Sequence, residues 1–463
     1  MVSRGALFRN VWNSIADRGL SLLRRAAGTA PLESLCLELL FERGEASGIA
    51  LAREIAERYR GLDASAQEAF FLSLLNRQFL PDPESVLVAA EQYRSQPDSE
   101  RLAKLFAVVE PPCQELFRRI NLAPGGTAVL VQMREDLLRF LPIRPALQPV
   151  DMDLRHLLAS WFNRGFLRLE RIDWHTPAVI LEKLIEHESV HEIRGWDDLR
   201  RRLAKDRRCF AFFHPALPEE PLIFVEVALT RGLASSIPPL LASDGDRLDP
   251  LRADTAVFYS ISNCLDGLRG ISFGSFLIKQ VVAELKAEDL KLELFATLSP
   301  VPGFRKWLAD LPDSRQAELA GGCDPSTLKP LEKNQWYKDR EASDRLRPLV
   351  MRLCAHYLLN ERKNGRALDT VAAFHLGNGA SVEQINWLAN TSEKGLMQSF
   401  GLMVNYAYRP SDIERNHEAY VKRSWIAASA QVRAMLRDPS QVSAVKTKFV
   451  RNVKPPKPSR KEM

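Results

Sequence analysis

Two short apolar runs, Ala256–Ile261 and Leu292–Leu298, bracket a glycine-bearing loop and a segment of helical spacing. No other stretch constrains the fold of this chain as strongly. Runs of four to eight residues rich in Val, Ile and Phe read as strands buried on both faces. Between them, over Ser275–Lys286, Leu277, Val281 and Leu285 form one stripe and Ile278 and Val282 the next, which predicts a helix. Strand, loop, helix and strand in that order make a right-handed crossover between parallel strands. Cys209–Phe213 and Leu222–Leu229 predict two further buried strands. The chain must therefore contain a sheet with helices packed on it, and no fixed-period repeat points to a solenoid.

The first 165 or so residues differ in texture. Leu35, Leu39 and Leu40, and again Phe70, Leu74 and Leu75, recur at three- and four-residue spacing, with Pro81, Pro83 and Pro97 as breaks. This predicts a helical bundle with no visible chemistry, suited to packing or oligomerisation. After Pro302–Gly303 the spacing predicts mainly helical segments to about residue 437, and KPPKPSRKEM predicts a disordered end. The expected organisation is a helical domain over 1–168, a catalytic domain over 169–440 and a basic tail over 441–463.

Charge and cysteine usage then exclude several classes. The net charge of +6 would raise a nucleic-acid question, but the last 23 residues hold seven basic side chains against Glu462 alone. Removing them from the totals of 64 and 58 leaves 57 basic and 57 acidic residues, a formally neutral body. The reading is no nucleic acid and no membrane, since no run approaches the 18 apolar residues of a span. A non-catalytic binder acting through the tail is the outlying alternative. Six cysteines without a C-x-x-C pair argue against a zinc ribbon or a disulfide scaffold. They point to a reducing compartment, the cytoplasm. A mitochondrial location is the runner-up because the N-terminus is Arg-rich, although Leu7, Val11, Ile15 and Leu20 also fit an ordinary first helix.

Chemistry can sit in four places. The loop Leu265–Ser275 carries Gly267, Gly270 and Gly274 and opens a helix, where backbone amides can approach phosphate. Ser299 follows the second strand of the same unit, where ligands of open α/β sheets bind, although a Ser-Pro turn that merely ends a strand explains it too. His375, ahead of Gly377 and Gly379 at a helix end, is an acid/base candidate or a structural histidine. The string His187-Glu-Ser-Val-His191 matches the zinc-protease pattern HExxH. No third ligand follows at the required spacing, so it reads as connector structure.

Longer segments carry a resemblance. FYSISNCLDGLRGISFGSFLIKQVV, TLSPVPGFRKWL and FHLGNGASVEQINWLANTSEKGLMQSFGLMVNYAY are similar to malonyl-CoA decarboxylases, as are HESVHEIRGWDDLRRRL and FFHPALPEEPLIFVEVALTRG. The likeness spans roughly residues 180–430. It implies an α+β chain, an N-terminal all-helical bundle domain followed by a GNAT acyltransferase-like catalytic domain. It implies decarboxylation of malonyl-CoA to acetyl-CoA and carbon dioxide through a thioester enolate, with Ser299 and His375 as catalytic groups. Coenzyme A would be held by Arg269, Gly270, Ile271, Ser272, Phe273, Gly274 and Ser275, although Ser272 stands where that superfamily's loop usually has a glycine. Asn405 and Tyr406 are weaker candidates. The resemblance further implies a homotetramer, with no cofactor beyond the coenzyme A of the substrate and no metal. A CoA-dependent N-acyltransferase of the same fold is the alternative.

Overall fold

The structure is a computed structural model that describes residues 30–437 apart from 244, 246, 272–276, 289 and 334. The possible first helix near Leu7–Leu20, the basic tail, and Ser272, Phe273, Gly274 and Ser275 of the loop lie outside the described residues.

Residues 32–161 fold as helices: α1 (Leu32–Phe41), α2 (Glu45–Arg60), α3 (Ala64–Ser73), α4 (Pro83–Ser95), α5 (Ser99–Val109), α6 (Pro112–Asn121), α7 (Gly126–Phe140) and α8 (Gln148–Trp161). Their starts follow from local chemistry. Asp63, Asp82 and Asp98 accept hydrogen bonds from the amides of Ala66, Ser85 and Arg101, satisfying donors that the first turn leaves free. Pro83 therefore begins a helix, as does Pro112, because the first helical position needs no amide hydrogen. Ile55, Tyr59, Phe71, Phe117, Leu130 and Leu137 are among the residues that fill a core between α2, α3, α6 and α7. The buried Tyr59 hydroxyl is satisfied by donating to Asp136 at 2.8 Å.

The rest of the chain builds a mixed sheet, whose first strands are β1 (Arg168–Ile172), β2 (Arg207–His214), β3 (Leu217–Thr230) and β4 (Thr255–Asn263). It continues with β5 (Leu294–Thr297) and β6 (Ser299–Pro300). A separate two-residue hairpin, β7 (Arg362–Lys363) with β8 (Arg366–Ala367), precedes β9 (Ser381–Asn386) and β10 (Met403–Tyr408). The order across the large sheet is β1-β2-β3-β4-β5-β10-β6, with β9 on the other edge of β10. Helices α9 (Ala178–His187) and α10 (Trp196–Arg202) follow β1, and α11 (Leu277–Ala287) bridges β4 and β5. That crossover is the expected one, and β4 with β5 is the parallel pair. The helical region followed by a mixed sheet with one crossover agrees with the α+β expectation.

The segment after Pro302 is mainly helical as expected, but it also holds β9 and β10, which the spacing did not indicate. Short apolar runs such as Met403–Tyr408 cannot be assigned to helix or strand from periodicity when they are buried on both faces, and all six of these residues are buried. Further helices include α12 (Phe304–Ala309), α13 (Arg340–Asn360), α14 (Thr370–Gly377), α15 (Glu393–Ser399) and α16 (Ile413–Arg423). The principal core, including Phe258, Val281, Phe304, Val350 and Tyr406, lies between one sheet face and α11, α12 and α13. Against the other face, Ile180, Leu184 and Leu199 of α9 and α10 meet Cys209, Ala211 and Phe224.

Candidate active site

Strands β4 and β5 pair only from Thr255 opposite Leu294 to Phe258 opposite Thr297. Beyond that point β4 stays with β3, while Ser299 and Pro300 pair with Val404 and Met403 of β10. The two strands part, and a cavity of about 290 Å3 opens at their carboxyl ends, beside the start of α11. Its walls include Phe258, Ile261, Leu277, Phe374, Ser299 and His375. Of the described residues that line it, none is Lys, Arg, Asp or Glu.

Ser299 and His375, 76 positions apart in sequence, meet at this cavity. The Ser299 hydroxyl is 3.0 Å from His375 Nε2 and 2.8 Å from Thr297 Oγ1. On the far side of the ring, Nδ1 is 2.8 Å from the Tyr408 hydroxyl. A neutral imidazole carries one proton, so the line Thr297–Ser299–His375–Tyr408 has two consistent patterns. In one, Tyr408 donates to Nδ1, Nε2 donates to Ser299, and Ser299 donates to Thr297. In the other, Ser299 donates to Nε2 and Nδ1 donates to Tyr408. The ring is buried, and burial pushes its pKa down from 6.5 to about 3. The imidazole is therefore neutral at pH 7.

Neighbouring elements hold the ring in place. Tyr406 stacks on it, with centroids 4.6 Å apart, and Phe374 meets it edge-on. Helix α14, which carries His375, begins at Asp369, whose Oδ1 accepts from the amides of Val371 and Ala372. Asp369 Oδ2 accepts from the Gly303 amide at 3.4 Å, tying the start of α14 to the turn that follows Ser299. The helix ends as the glycines suggested, with Gly379 at φ +82°. A Cβ there would stand 2.2 Å from the Ile413 carbonyl oxygen, so position 379 accepts glycine alone.

The other candidates divide. Tyr406 belongs to the site. Asn405, one residue earlier on β10, faces the opposite side, where its amide donates to the carbonyls of Thr297 and Ala234. It holds strands together. Arg269, Gly270 and Ile271 stand at the described end of the glycine-bearing loop, after a 3-10 turn at Asp266–Leu268. In the HExxH string, α9 stops at His187, and Glu188 accepts from the amides of Val190 and His191 and from the Ser260 hydroxyl. The two histidines do not share a helical face. Among the described residues no group of three His, Cys, Asp or Glu stands where it could hold a metal ion.

Three participants escaped sequence reasoning: Thr297, Asp369 and Tyr408. Tyr408 had a signal, because residues two apart on a strand share a face. Reading NYAY as a strand would have joined Tyr408 to Tyr406. Asp369 was legible as an N-cap, though its bond to Gly303 was not.

Two family models match this chain, the malonyl-CoA decarboxylase C-terminal domain over residues 165–446 and the N-terminal domain over 79–162. The chain belongs to the malonyl-CoA decarboxylase family. A mitochondrial malonyl-CoA decarboxylase of Anser anser anser is 38% identical over 414 residues, covering 82% of each chain. That of Rattus norvegicus is 35% identical over 447 residues, covering 90% of each. Among solved structures, the malonyl-CoA decarboxylase from Rhodopseudomonas palustris is 51% identical with a TM-score of 0.83, over 87% of this chain and 98% of that one. The enzyme from Agrobacterium vitis is 48% identical at the same TM-score, over 88% and 100%. The decarboxylase fold therefore extends over the helical region as well as the sheet.

Proposed function

We propose that this chain decarboxylates malonyl-CoA, releasing carbon dioxide and acetyl-CoA, with Ser299 and His375 at the reacting atoms. The observation that carries the reading is the Ser299–His375 contact on the wall of a cavity at the parting of β4 and β5, in a chain of this family. Cleavage of the bond between the α-carbon and the carboxylate sends its electron pair towards the thioester, which becomes an enolate. That enolate must be stabilised at its oxygen and then protonated at carbon. Ser299 donates a hydrogen bond to the developing oxyanion. His375, its ring oriented by Tyr408, orients the Ser299 hydroxyl, and the one proton that the enolate carbon takes up, forming the new C–H bond in place of the C–C bond broken, comes from solvent. The thioester is itself the electron sink, so this route asks for no cofactor beyond the coenzyme A of the substrate.

Uncharged lining residues support the direction of the reaction. A carboxylate placed among Phe258, Ile261, Leu277 and Phe374 loses hydration, whereas carbon dioxide has little to lose. The proposal includes a homotetramer and a reducing compartment, the cytoplasm before the mitochondrion. The compartment is supported by six free cysteines, five of them buried. Among the described residues no helix is long and apolar enough to cross a membrane.

The test is release of carbon dioxide from malonyl-CoA with no amine acceptor present. Stoichiometric carbon dioxide and acetyl-CoA are expected. A requirement for an acceptor, with the acyl group transferred intact, would replace decarboxylation by N-acyl transfer.

A further inference from the structure

The described end of the glycine-bearing loop rests on the helical region, and the contacts are polar. Arg134 of α7 is buried, with its side chain 3% exposed, and its Nη1 donates to the carbonyls of Gly267 at 2.7 Å and Arg269 at 2.9 Å. Its Nε donates to Asp151 of α8 at 2.9 Å, which fixes the guanidinium from behind. The backbones touch as well, since a Cβ on Gly267 would stand 2.1 Å from the Val131 carbonyl oxygen. One turn further along α8, Arg155 reaches the same loop, with Nη2 3.4 Å from the Gly270 carbonyl oxygen.

Three guanidinium groups, those of Arg134, Arg155 and Arg269, thus gather at one loop. Asp151 neutralises Arg134 alone. Arg155 and Arg269 are exposed, and neither has an ion-pair partner among the described residues. Burial lowers the Arg134 pKa, and the charges of Arg155 and Arg269 add to that lowering against the pull of Asp151. Asp266 of the same loop lies near Glu135, and the guanidinium groups of Arg155 and Arg269 stand exposed beside the loop, where a polyanion can dock.

Resting on the proposed use of a coenzyme A thioester, we infer that the helical region supplies part of the nucleotide-phosphate subsite. Arg155 contacts a phosphate of the nucleotide half together with Arg269, and Arg134 is the positioning residue that holds the loop beneath them. The helical region then has a binding role in addition to any part in assembly. The ligand class is a nucleoside phosphate, and the pantetheine arm and acyl group lie beyond reach of this cluster.

The test compares wild type with Arg155→Gln and Arg155→Lys in the full chain, measuring affinity for coenzyme A, dephospho-coenzyme A and pantetheine. Loss of one charge-assisted phosphate contact is expected to weaken coenzyme A roughly tenfold in Arg155→Gln. Arg155→Lys should recover most of that loss. Pantetheine binding should stay within about twofold. If the loss persists with dephospho-coenzyme A, Arg155 serves the diphosphate; if it vanishes, Arg155 serves the 3′-phosphate, and both outcomes support the inference. Unchanged coenzyme A affinity, or equal weakening of pantetheine, overturns it. A wild type that binds coenzyme A through Arg155 but releases no carbon dioxide would sink the decarboxylase reading and leave the subsite standing. Normal carbon dioxide release with an indifferent Arg155 would do the reverse.

Discussion

At the scale of single residues, the site depends on one neutral imidazole between two hydroxyls. Ser299→Ala removes the donor at the cavity wall and His375→Asn removes the ring that orients it. Each is expected to lower kcat by about 10²–10⁴-fold while the protein stays folded, read by steady-state kinetics beside circular dichroism. Wild-type rates in both would remove these residues from the mechanism. Tyr408→Phe keeps the ring's packing but takes away the partner of Nδ1, so kcat should fall with KM little changed. The same burial has a consequence for stability. His375 and His191 are both pushed down to about 3, by burial first and, for His191, by Arg202 next. Below the ordinary value of 6.5 the unfolded chain binds protons that these folded groups refuse. Their stabilisation is complete above pH 6.5 and is lost as pH falls towards 3. Urea unfolding at pH 7 and pH 4.5 should show a smaller acid loss in His191→Gln than in wild type, and an equal loss would exclude His191 as a source.

At the scale of elements, α14 is positioned by its two ends. Asp369 caps its start and reaches back to Gly303, and Gly379 turns its end against Ile413. A methyl group at 379 meets a backbone oxygen at van der Waals overlap and forces an unfavourable φ. Gly379→Ala is therefore expected to destabilise by about 2–4 kcal/mol in chemical denaturation. The segments around α14 also show what pattern reading can and cannot do. The crossover of β4, α11 and β5 was legible because helix and strand periodicities alternate cleanly there. The end of α14 was legible from its glycines. β10 was not, because a strand buried on both faces has no alternation to read, and with it went the pairing of Tyr406 and Tyr408 on one face.

At the scale of the whole molecule, a buried arginine of the helical region, held by an ion pair within that region, joins it to the loop that leaves β4. Arg134 and Asp151 lie on α7 and α8, while the remaining donors of Arg134 serve the loop carbonyls across the boundary. Removing one partner leaves a charge without compensation in a buried place. Asp151→Ala should cost roughly 3–5 kcal/mol in urea unfolding, and a cost near zero would mean that solvent reaches Arg134. The amino-acid sequence alone determined the crossover unit, the helical character of residues 32–161, the placement of surplus basic charge in the tail, and the family through its long ordered matches. These are local properties, written in spacing and in contiguous strings. Only the tertiary structure decided that Ser299 meets His375, that the Tyr408 hydroxyl stands at His375 Nδ1, and that arginines of the helical region stand beside the glycine-bearing loop. Such contacts join residues from 33 to 135 positions apart. They depend on where β4 and β5 part and on how α7 packs against the loop, and no local pattern encodes either.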